Sequence, residues 1–328
     1  MPQISSMHTD RPLTSFAVAQ MPMTEFPLFD ILKPLPVKKK SDEYYIYDAG
    51  WLFGYKEAAG ENRFQRAPGA TYDRVEYVHT TGSYSCNEYG LEHVVDDAEQ
   101  ANADSPLDPL QDGALAVRTQ LMTESHAQLA ALLCDSGTTF ASYTSAVATS
   151  WATHDTAEPV ADADVAWASM IDNGTFVPSM HSKIVVMAQD EYTDLLRNAD
   201  LIDRVKYTGL GAGQVTAQAA AQYLKADKLV VIPHVEVSSD DGQTFATGDV
   251  WTSGVVGFYA VPKGRPGLKA PGLGFTAIWN AANGGDAMSG FAIRRYRDES
   301  INSWVVRGNM HYDPKVSQAA SGYLKTGA

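Results

Sequence analysis

One long helix is the strongest structural signal in the sequence. Asp108 can cap a helix, Pro109 suits the first helical position, and Gln111 stands where the partner of a capping box belongs. Apolar residues then recur at helical spacing until Gly137, which occupies the position just past a helix end. The pattern predicts a helix within residues 108–136, of roughly 26 residues and about 40 Å at 1.5 Å per residue. A helix of this length spans a small domain, so we expect other elements to pack along it.

The charge of the chain is unevenly distributed. The net charge is -14, and residues 76–200 alone hold 20 acidic and 3 basic residues. A protein that binds specific DNA sequences would instead carry a basic patch. Sequence-specific DNA binding is therefore not expected, although a local basic segment can still contact nucleic acid, and the candidates are Lys38, Lys39 and Lys40.

Export and membrane insertion are not indicated. The sequence has no run of about 18 apolar residues, and its N-terminus lacks a basic start followed by an apolar block. The two cysteines, Cys86 and Cys134, fit a reducing compartment, where a disulfide is not expected.

Residues 1–43 are interpreted as an extended arm, because six prolines interrupt helix formation there, and residues 44–95 as an extended hairpin rich in alternating aromatic side chains. Two strands alone are marginally stable in water, and a long loop that cannot fold alone has a function or a partner. We therefore predict contacts with another subunit. The candidate residues are Phe26, Phe29, Trp51, Phe53, Tyr55, Lys56, Arg63, Arg66 and Tyr72.

Short strands and helices alternate after the long helix, which predicts an α+β fold. The last strand, over residues 304–312, is expected to pair far from its sequence neighbours. The predicted units are an arm at 1–43, a hairpin at 44–95, a unit with the long helix at 96–154, a compact unit at 155–295, and a C-terminal strand at 296–328 that completes the helix-containing unit.

Two motifs suggest enzymatic chemistry but have simpler interpretations. Residues 135–138, Asp-Ser-Gly-Thr, match the signature of aspartic proteases, yet a long helix precedes them and no second copy exists. The glycines at 209, 211 and 213, with Glu236 beyond them, resemble part of a dinucleotide-binding fingerprint with the wrong spacing. A helix stop and a surface loop explain these two motifs better.

Metal binding is also not indicated. The histidines are scattered, and neither His-x-x-x-His nor Cys-x-x-Cys occurs. We therefore expect no catalytic residues, no metal and no cofactor. The chain has few candidate catalytic residues, and its arm and hairpin need another surface to pack against. We therefore interpret it as an assembly subunit.

The order of these parts resembles the major capsid proteins of tailed bacteriophages, which have the Hong Kong 97-type fold. Short phrases in the same order support the resemblance from about residue 26 onward. They are Arg-Ala-Pro-Gly-Ala at 66–70, Tyr-Ser-Cys-Asn-Glu-Tyr at 84–89, Asn-Ala-Asp-Ser-Pro-Leu at 102–107, Asp-Arg-Val-Lys-Tyr at 203–207, and Tyr-Asp-Pro-Lys-Val-Ser at 312–317.

The resemblance implies a role for each part. The hairpin would lie over the adjacent subunit, the long helix would be the spine of a peripheral domain, and residues 155–295 would form an axial domain. Subunits would form hexamers and pentamers of an icosahedral shell around double-stranded DNA, assembled in the host bacterial cytoplasm. Portal, scaffold or decoration proteins are implied as further partners. Some members cross-link a hairpin lysine to an asparagine, for which Lys56 and either Asn302 or Asn309 are conceivable here.

Two alternatives remain open. An encapsulin-type compartment has the same fold but holds cargo protein instead of DNA. A soluble nucleotide-binding enzyme would use the glycine loop at 209–213.

Overall fold

The computed structural model has an α+β fold, and it describes residues 10–20, 25–46, 68–69, 71–72, 80–104, 107–206, 216–233, 235–237, 243–244, 246–264, 272–281, 284, 286 and 288–328. The described helices are α1 (Arg11–Gln20), α2 (Asp97–Asn102), α3 (Pro109–Leu133), α4 (Pro159–Asp172), α5 (Gln189–Arg197), α6 (Ala199–Lys206) and α7 (Ala217–Tyr223).

The described strands form two five-stranded and two two-stranded sheets. They are β1 (Pro34–Val37), β2 (Ser41–Ile46), β3 (Thr80–Ser85), β4 (Asn87–Asp96), β5 (Thr144–Ala146), β6 (His181–Ala188), β7 (Lys228–Ile232), β8 (Val235–Val237), β9 (Thr247–Asp249), β10 (Val255–Pro262), β11 (Gly274–Trp279), β12 (Ala292–Asp298), β13 (Ser303–Val316) and β14 (Gly322–Thr326).

The long helix α3 confirms the sequence prediction. The Asp108 side chain accepts hydrogen bonds from the backbone N–H groups of Leu110, at 3.2 Å, and Gln111, at 3.3 Å. The Gln111 amide donates back to Asp108 Oδ2 at 2.7 Å. These bonds satisfy donors that the first turn of a helix leaves without partners. The helix has 25 residues and ends at Leu133, which gives about 38 Å at 1.5 Å per residue.

The first sheet has the order β1-β11-β13-β12, and β4 pairs along the other side of β13. Helix α3 packs on this sheet, where Gly308 of β13 lets the two backbones approach. A Cβ atom at Gly308 would lie 2.5 Å from Val117 Cγ1 and 3.3 Å from Leu121 Cδ1. The pairing of β13 with β4, residue 303 with 96 through 312 with 87, confirms that the last long strand pairs far away in the sequence.

The second sheet has the order β5-β14-β10-β6-β7 and a separate hydrophobic cluster on one face. A buried ion pair joins helix α4 to strand β14. Lys325 Nζ lies 3.2 Å from Asp162 Oδ1, and their side chains are only 5% and 11% exposed. Trp151 Nε1 donates to the other carboxylate oxygen of Asp162 at 3.1 Å.

The predicted boundaries at 155–295 and 296–328 do not match the sheets. Strands β11 and β12 lie within 155–295, yet both pair with β13 in the first sheet. The predicted unit at 296–328 is divided as well: β13 pairs with β4 in the sheet below α3, whereas β14 pairs with β10 in the second sheet. The sheets cross these boundaries because the pattern of a strand does not encode its partner, and β13 is long enough to pair with three strands.

The arm also differs from the prediction. Residues 11–20 form helix α1, because Pro12 lies in the first turn, where a missing N–H group costs little. The Asp10 side chain accepts the N–H of Leu13 at 3.1 Å as an N-terminal cap. The backbone of Ile293, in β12, bonds to Asp10 and Thr14. The described arm is therefore attached to its own subunit.

Replacing Asp108 by alanine should lower the free energy of unfolding of the isolated subunit by about 1 kcal/mol, because the cap on α3 is lost. Asp108→Ser is the matched control, since a serine side chain can still accept the same N–H groups. Urea unfolding followed by circular dichroism measures both variants, and equal stability of the two would contradict the assigned cap.

Asp162→Asn should lower the free energy of unfolding by about 3–5 kcal/mol, because it leaves the Lys325 ammonium buried without its counter-charge. The control lies on the same helix: Asp164 pairs with Lys225 at 2.5 Å, but both side chains are half exposed. Asp164→Asn should cost less than about 1 kcal/mol. Similar losses for the two variants in urea unfolding would argue against a buried pair.

Candidate assembly surface

The base of the extended hairpin is fixed to the first sheet. Strands β2 and β3 pair from Ser41 with Ser85 to Ile46 with Thr80. The N–H of Ser85 donates to Asp313 on β13 at 2.8 Å. A small apolar cluster joins the base to β11, and its buried members are Tyr44, Tyr84, Cys86, Phe275 and Ala277. The base of the predicted hairpin is therefore held in place by well-packed residues.

The predicted contact residues have different outcomes. Tyr72 is 78% exposed, as a contact residue for another subunit must be before assembly. Phe26 and Phe29 are only 1% and 6% exposed and lie in the core of their own chain. The Phe26 ring packs edge-on against His126 of α3, with centroids 5.5 Å apart. They are corrected to core residues, because an apolar side chain gives the same sequence signal in either place. Trp51, Phe53, Tyr55, Lys56, Arg63 and Arg66 lie outside the described residues.

The basic segment at 38–40 has a fixed backbone and exposed side chains. Trp279 Nε1 donates to the carbonyl of Lys38 at 3.2 Å, and the hydroxyl of Tyr84 donates to the carbonyl of Lys39 at 3.4 Å. The Lys39 ammonium is 2.9 Å from Asp42 on the surface. The segment thus presents positive charge to solvent from a rigid position beside the hairpin base.

Lys33 does not share this exposed position. Its ammonium donates to the carbonyl of Pro262 at 2.5 Å and to that of Gly264 at 3.2 Å. Partial burial lowers the pKa of Lys33 from its usual value, and the neighbouring Asp30 opposes that shift. The lysine therefore ties the arm to the end of β10.

Strand β4 has an open edge that sequence reasoning missed. Asp97 N donates to Asn302 O one residue beyond the β4–β13 ladder, and antiparallel pairs alternate between bonded and unbonded residues. The even-numbered residues of β4 therefore direct their N–H and C=O groups away from β13. They are Glu88, Gly90, Glu92, Val94 and Asp96, and none of the described strands pairs with β4 on this outer side.

The other edges of this sheet are less accessible to a further strand. Strand β1 carries Pro34 and Pro36, which have no N–H to donate. The edge of β12 is occupied at Ile293 by the start of α1, and Arg295 and Arg297 follow. The sequence signal for the open edge was the absence of proline from the ten residues of β4.

A cleft of about 520 Å³ lies beside β4, between α2 and the first turns of α3. Its lining residues include Glu99 and Asp112 and no lysine or arginine. Two other acids of α2 and β4 have partners in the subunit: Arg297 forms two hydrogen bonds to Asp97, at 2.8 and 2.6 Å, and Arg307 bonds to Glu92. The bonds from Arg297 lower the pKa of Asp97.

The protease-like motif is a structural cap. Asp135 accepts the N–H groups of Gly137, Thr138 and Thr139 at 2.9 to 3.0 Å. The backbone bonds from Thr138 and then Thr139 hold the pKa of Asp135 well below its usual range. A carboxylate held this way is a fixed acceptor that ends the turn after α3, as the simpler interpretation predicted.

Other candidate chemistry is limited to a few groups. Burial raises the pKa of both free thiols, Cys86 and Cys134, to about 11, so both are protonated at neutral pH. Within the part of the chain that the structure describes, no three His, Cys, Asp or Glu side chains are placed to bind a metal. The glycines of 209–213 lie outside the described residues.

The two conceivable cross-link acceptors have different positions. Asn302 lies in the turn between β12 and β13, is exposed, and has φ of +46°, a conformation that asparagine tolerates better than most residues. Asn309 lies within β13 and is only 6% exposed. Only Asn302 is accessible to a side chain from another subunit.

Comparison with known proteins identifies the fold. No protein-family model matches the sequence, and no curated protein matches it. A phage-related protein from Bordetella bronchiseptica RB50 is similar in structure, with a TM-score of 0.72 and 17% identity over 98% of both chains. The capsid of cyanophage P-SCSP1u has a TM-score of 0.52 and 11% identity over 90% of this chain and 86% of that one.

A third similar structure is the SrpI encapsulin of Synechococcus elongatus PCC 7942, with a TM-score of 0.52 and 10% identity over 97% of this chain and 89% of that one. The matches cover 90% or more of this chain. The chain therefore has the α+β fold of Hong Kong 97-type capsid and shell proteins, as the resemblance in its sequence implied.

Proposed function

We propose that this chain is a structural subunit that assembles with copies of itself into hexamers and pentamers of an icosahedral phage head enclosing double-stranded DNA. The observation that carries the proposal is the open edge of β4 in a chain with a shell-protein fold. An unpaired, proline-free strand edge favours pairing with another chain. Self-assembly gives every such edge a partner in the finished shell.

The distribution of charge supports a particular orientation in that shell. DNA phosphates repel acidic surface and attract lysine without regard to sequence. The acidic region, residues 76–200, would face outward or between subunits. The exposed lysines 38–40 would face the packaged DNA and make non-specific contacts. Their rigid backbone suits this role, because the chain loses little conformational entropy when they bind.

An encapsulin-type shell that holds cargo protein is the alternative. The encapsulin and the cyanophage capsid are equally similar to this chain by TM-score. The exposed lysines favour the nucleic-acid reading, because a shell for cargo protein has no need of them. Portal, scaffold and decoration proteins are proposed as further partners, with assembly in the host bacterial cytoplasm. No described helix is long and apolar enough to cross a membrane.

The expressed protein should form closed particles tens of nanometres across that contain nucleic acid. Negative-stain images and sedimentation measure the particle size, and the ratio of absorbance at 260 and 280 nm after nuclease treatment measures protected nucleic acid. A species of one or two chain masses would refute self-assembly. Particles that hold protein cargo without nucleic acid would favour the encapsulin alternative.

Val94→Pro should prevent or strongly reduce particle formation while the subunit stays folded. The Val94 N–H points away from β13, so proline removes the outward donor without removing a bond inside the subunit. Val94→Thr keeps the N–H group and is the matched control. Normal particles from the proline variant would exclude the β4 edge as an assembly contact, and circular dichroism verifies that the subunit is folded.

A further inference from the structure

A buried histidine lies where several elements of the first sheet meet. His311 is on β13, and only 3% of the residue is exposed to solvent. Side chains alternate between the two faces of a strand, and Gly308 faces α3, so His311 projects from the opposite face of the sheet. Asp313, the next residue on that face, accepts the N–H of Ser85 from the hairpin base. His311 therefore lies on the side of the sheet to which the hairpin base is attached.

Two neighbouring strands place side chains against the His311 ring. Trp279 of β11 packs edge-on, with the ring centroids 5.2 Å apart. Glu88 is opposite His311 in the β4–β13 ladder, and its Oε2 atom lies 3.5 Å from His311 Nε2. The Trp279 indole also donates to the carbonyl of Lys38 at 3.2 Å. The ring thus connects the start of β4, through Trp279, to the basic segment 38–40.

The surroundings of His311 disfavour a charged ring. Burial is the main cause that lowers the pKa of His311 from its usual value. Glu88 opposes this shift, but its side chain is 58% exposed, so solvent weakens the attraction. Lys40, just before β2, and Arg294 on β12 add to the lowering, while Asp313 is already bonded to the hairpin base. The imidazole is therefore neutral at neutral pH, although an acid lies beside it.

We propose that His311 is an acid-sensitive joint that holds the basic segment 38–40 and the start of β4 on the first sheet. A neutral ring can remain packed against Trp279. A proton gained in mild acid places a charge near Lys40 and Arg294, where little water reaches, and a buried charge without compensation is unfavourable. The charged ring becomes solvated when the segment and the start of β4 separate from β11 and β13. The joint belongs to the single subunit and does not depend on the proposed function.

The sign of the pH dependence follows from the two states of the chain. In the unfolded chain a histidine has a pKa of about 6.5, and in the folded chain the pKa of His311 is lower. The stability that the neutral ring provides is therefore complete above about pH 6.5, and it is lost as the pH falls through the lower pKa of the folded chain. Between pH 7.5 and pH 5.5, a ring that stays neutral in the folded chain lowers the folding equilibrium constant by about tenfold.

Replacing His311 by glutamine tests the joint, because glutamine is polar and does not titrate. Urea unfolding of the unassembled full-length chain is measured at pH 7.5 and pH 5.5, for the unaltered chain and for His311→Gln. We expect the folding equilibrium constant to fall less in the variant, with a difference of several-fold and at most about tenfold. Other titrating groups are the same in both chains, so their contributions cancel. Equal falls in the two chains would overturn the proposal.

Charge variants around the ring test whether the position of each charge matters. Lys40→Gln removes a like charge and should make the chain less sensitive to acid, whereas Glu88→Gln removes the opposing acid and should make it more sensitive. The matched control is Lys39→Gln, because the Lys39 ammonium lies 2.9 Å from Asp42 on the surface. This control should respond to acid as the unaltered chain does. Equal effects of the two lysine variants would show that net charge governs the response, and the joint would be refuted.

Hydrogen exchange locates the opening, and it decides the matter if His311→Gln does not fold. The amides of residues 86–89 report on both connections, because the Cys86 N–H donates to the Lys40 carbonyl at 2.9 Å and β4 begins at Asn87. After correction for the pH dependence of chemical exchange, these amides of the unaltered chain should lose protection at pH 5.5 relative to pH 7.5, while those of α3 keep theirs. Unchanged protection at 86–89, or an equal loss in α3, would overturn the proposal.

Discussion

The packing of α3 across β13 is the contact on which the rest of the structure depends. Gly308 brings the backbone of β13 close to Val117 and Leu121, and the helix also packs against β4. Because β13 has 14 residues, one strand can hold β4 on one side and both β11 and β12 on the other. A larger residue at Gly308 would separate helix and sheet, and the strands that depend on β13 would lose their common support.

The same arrangement leaves one edge of the first sheet without a partner among the described strands. On one side of β13, the remaining edges are protected by prolines in β1 and by helix α1 on β12. On the other side, β4 is supported from below by α3 but has no described neighbour beyond it. The sheet is therefore closed where the subunit supplies its own partners and open at one edge. An assembling protein needs such an asymmetry, because an open edge on both sides would permit unlimited lateral growth.

The sequence predicted those features that depend on neighbouring residues. The start of α3 was predictable because Asp108, Pro109 and Gln111 form the cap among themselves. The sequence did not predict helix α1, because prolines usually interrupt helices. Pro12, however, lies in the first turn of the helix, where a proline is tolerated. Residues far away in sequence decide which sheet the strands β11, β12 and β14 join. A local sequence pattern therefore does not predict it.

The candidate surface was less predictable than the fold for a related physical reason. Burial of Phe26 in its own core and burial against a neighbour require the same apolar side chain, so sequence alone does not separate them. The open edge of β4 is defined by a missing partner, which becomes visible only when the pairing of the other strands is known. The sequence alone shows that residues 76–117 are acidic. Only the structure shows that Glu99 and Asp112 line the same cleft.

Charge and backbone pairing make different contributions at that surface. Backbone hydrogen bonds at an open edge are the same for any sequence, so they stabilise a contact without selecting its partner or its register. Charged side chains select partner and register but add little stability where they remain exposed to solvent. The cleft that contains Glu99 and Asp112 lies near the open edge, since His93 of β4 is among its lining residues. The strand edge alone would also accept wrong partners and wrong registers, and the acidic wall disfavours those that bring negative charge.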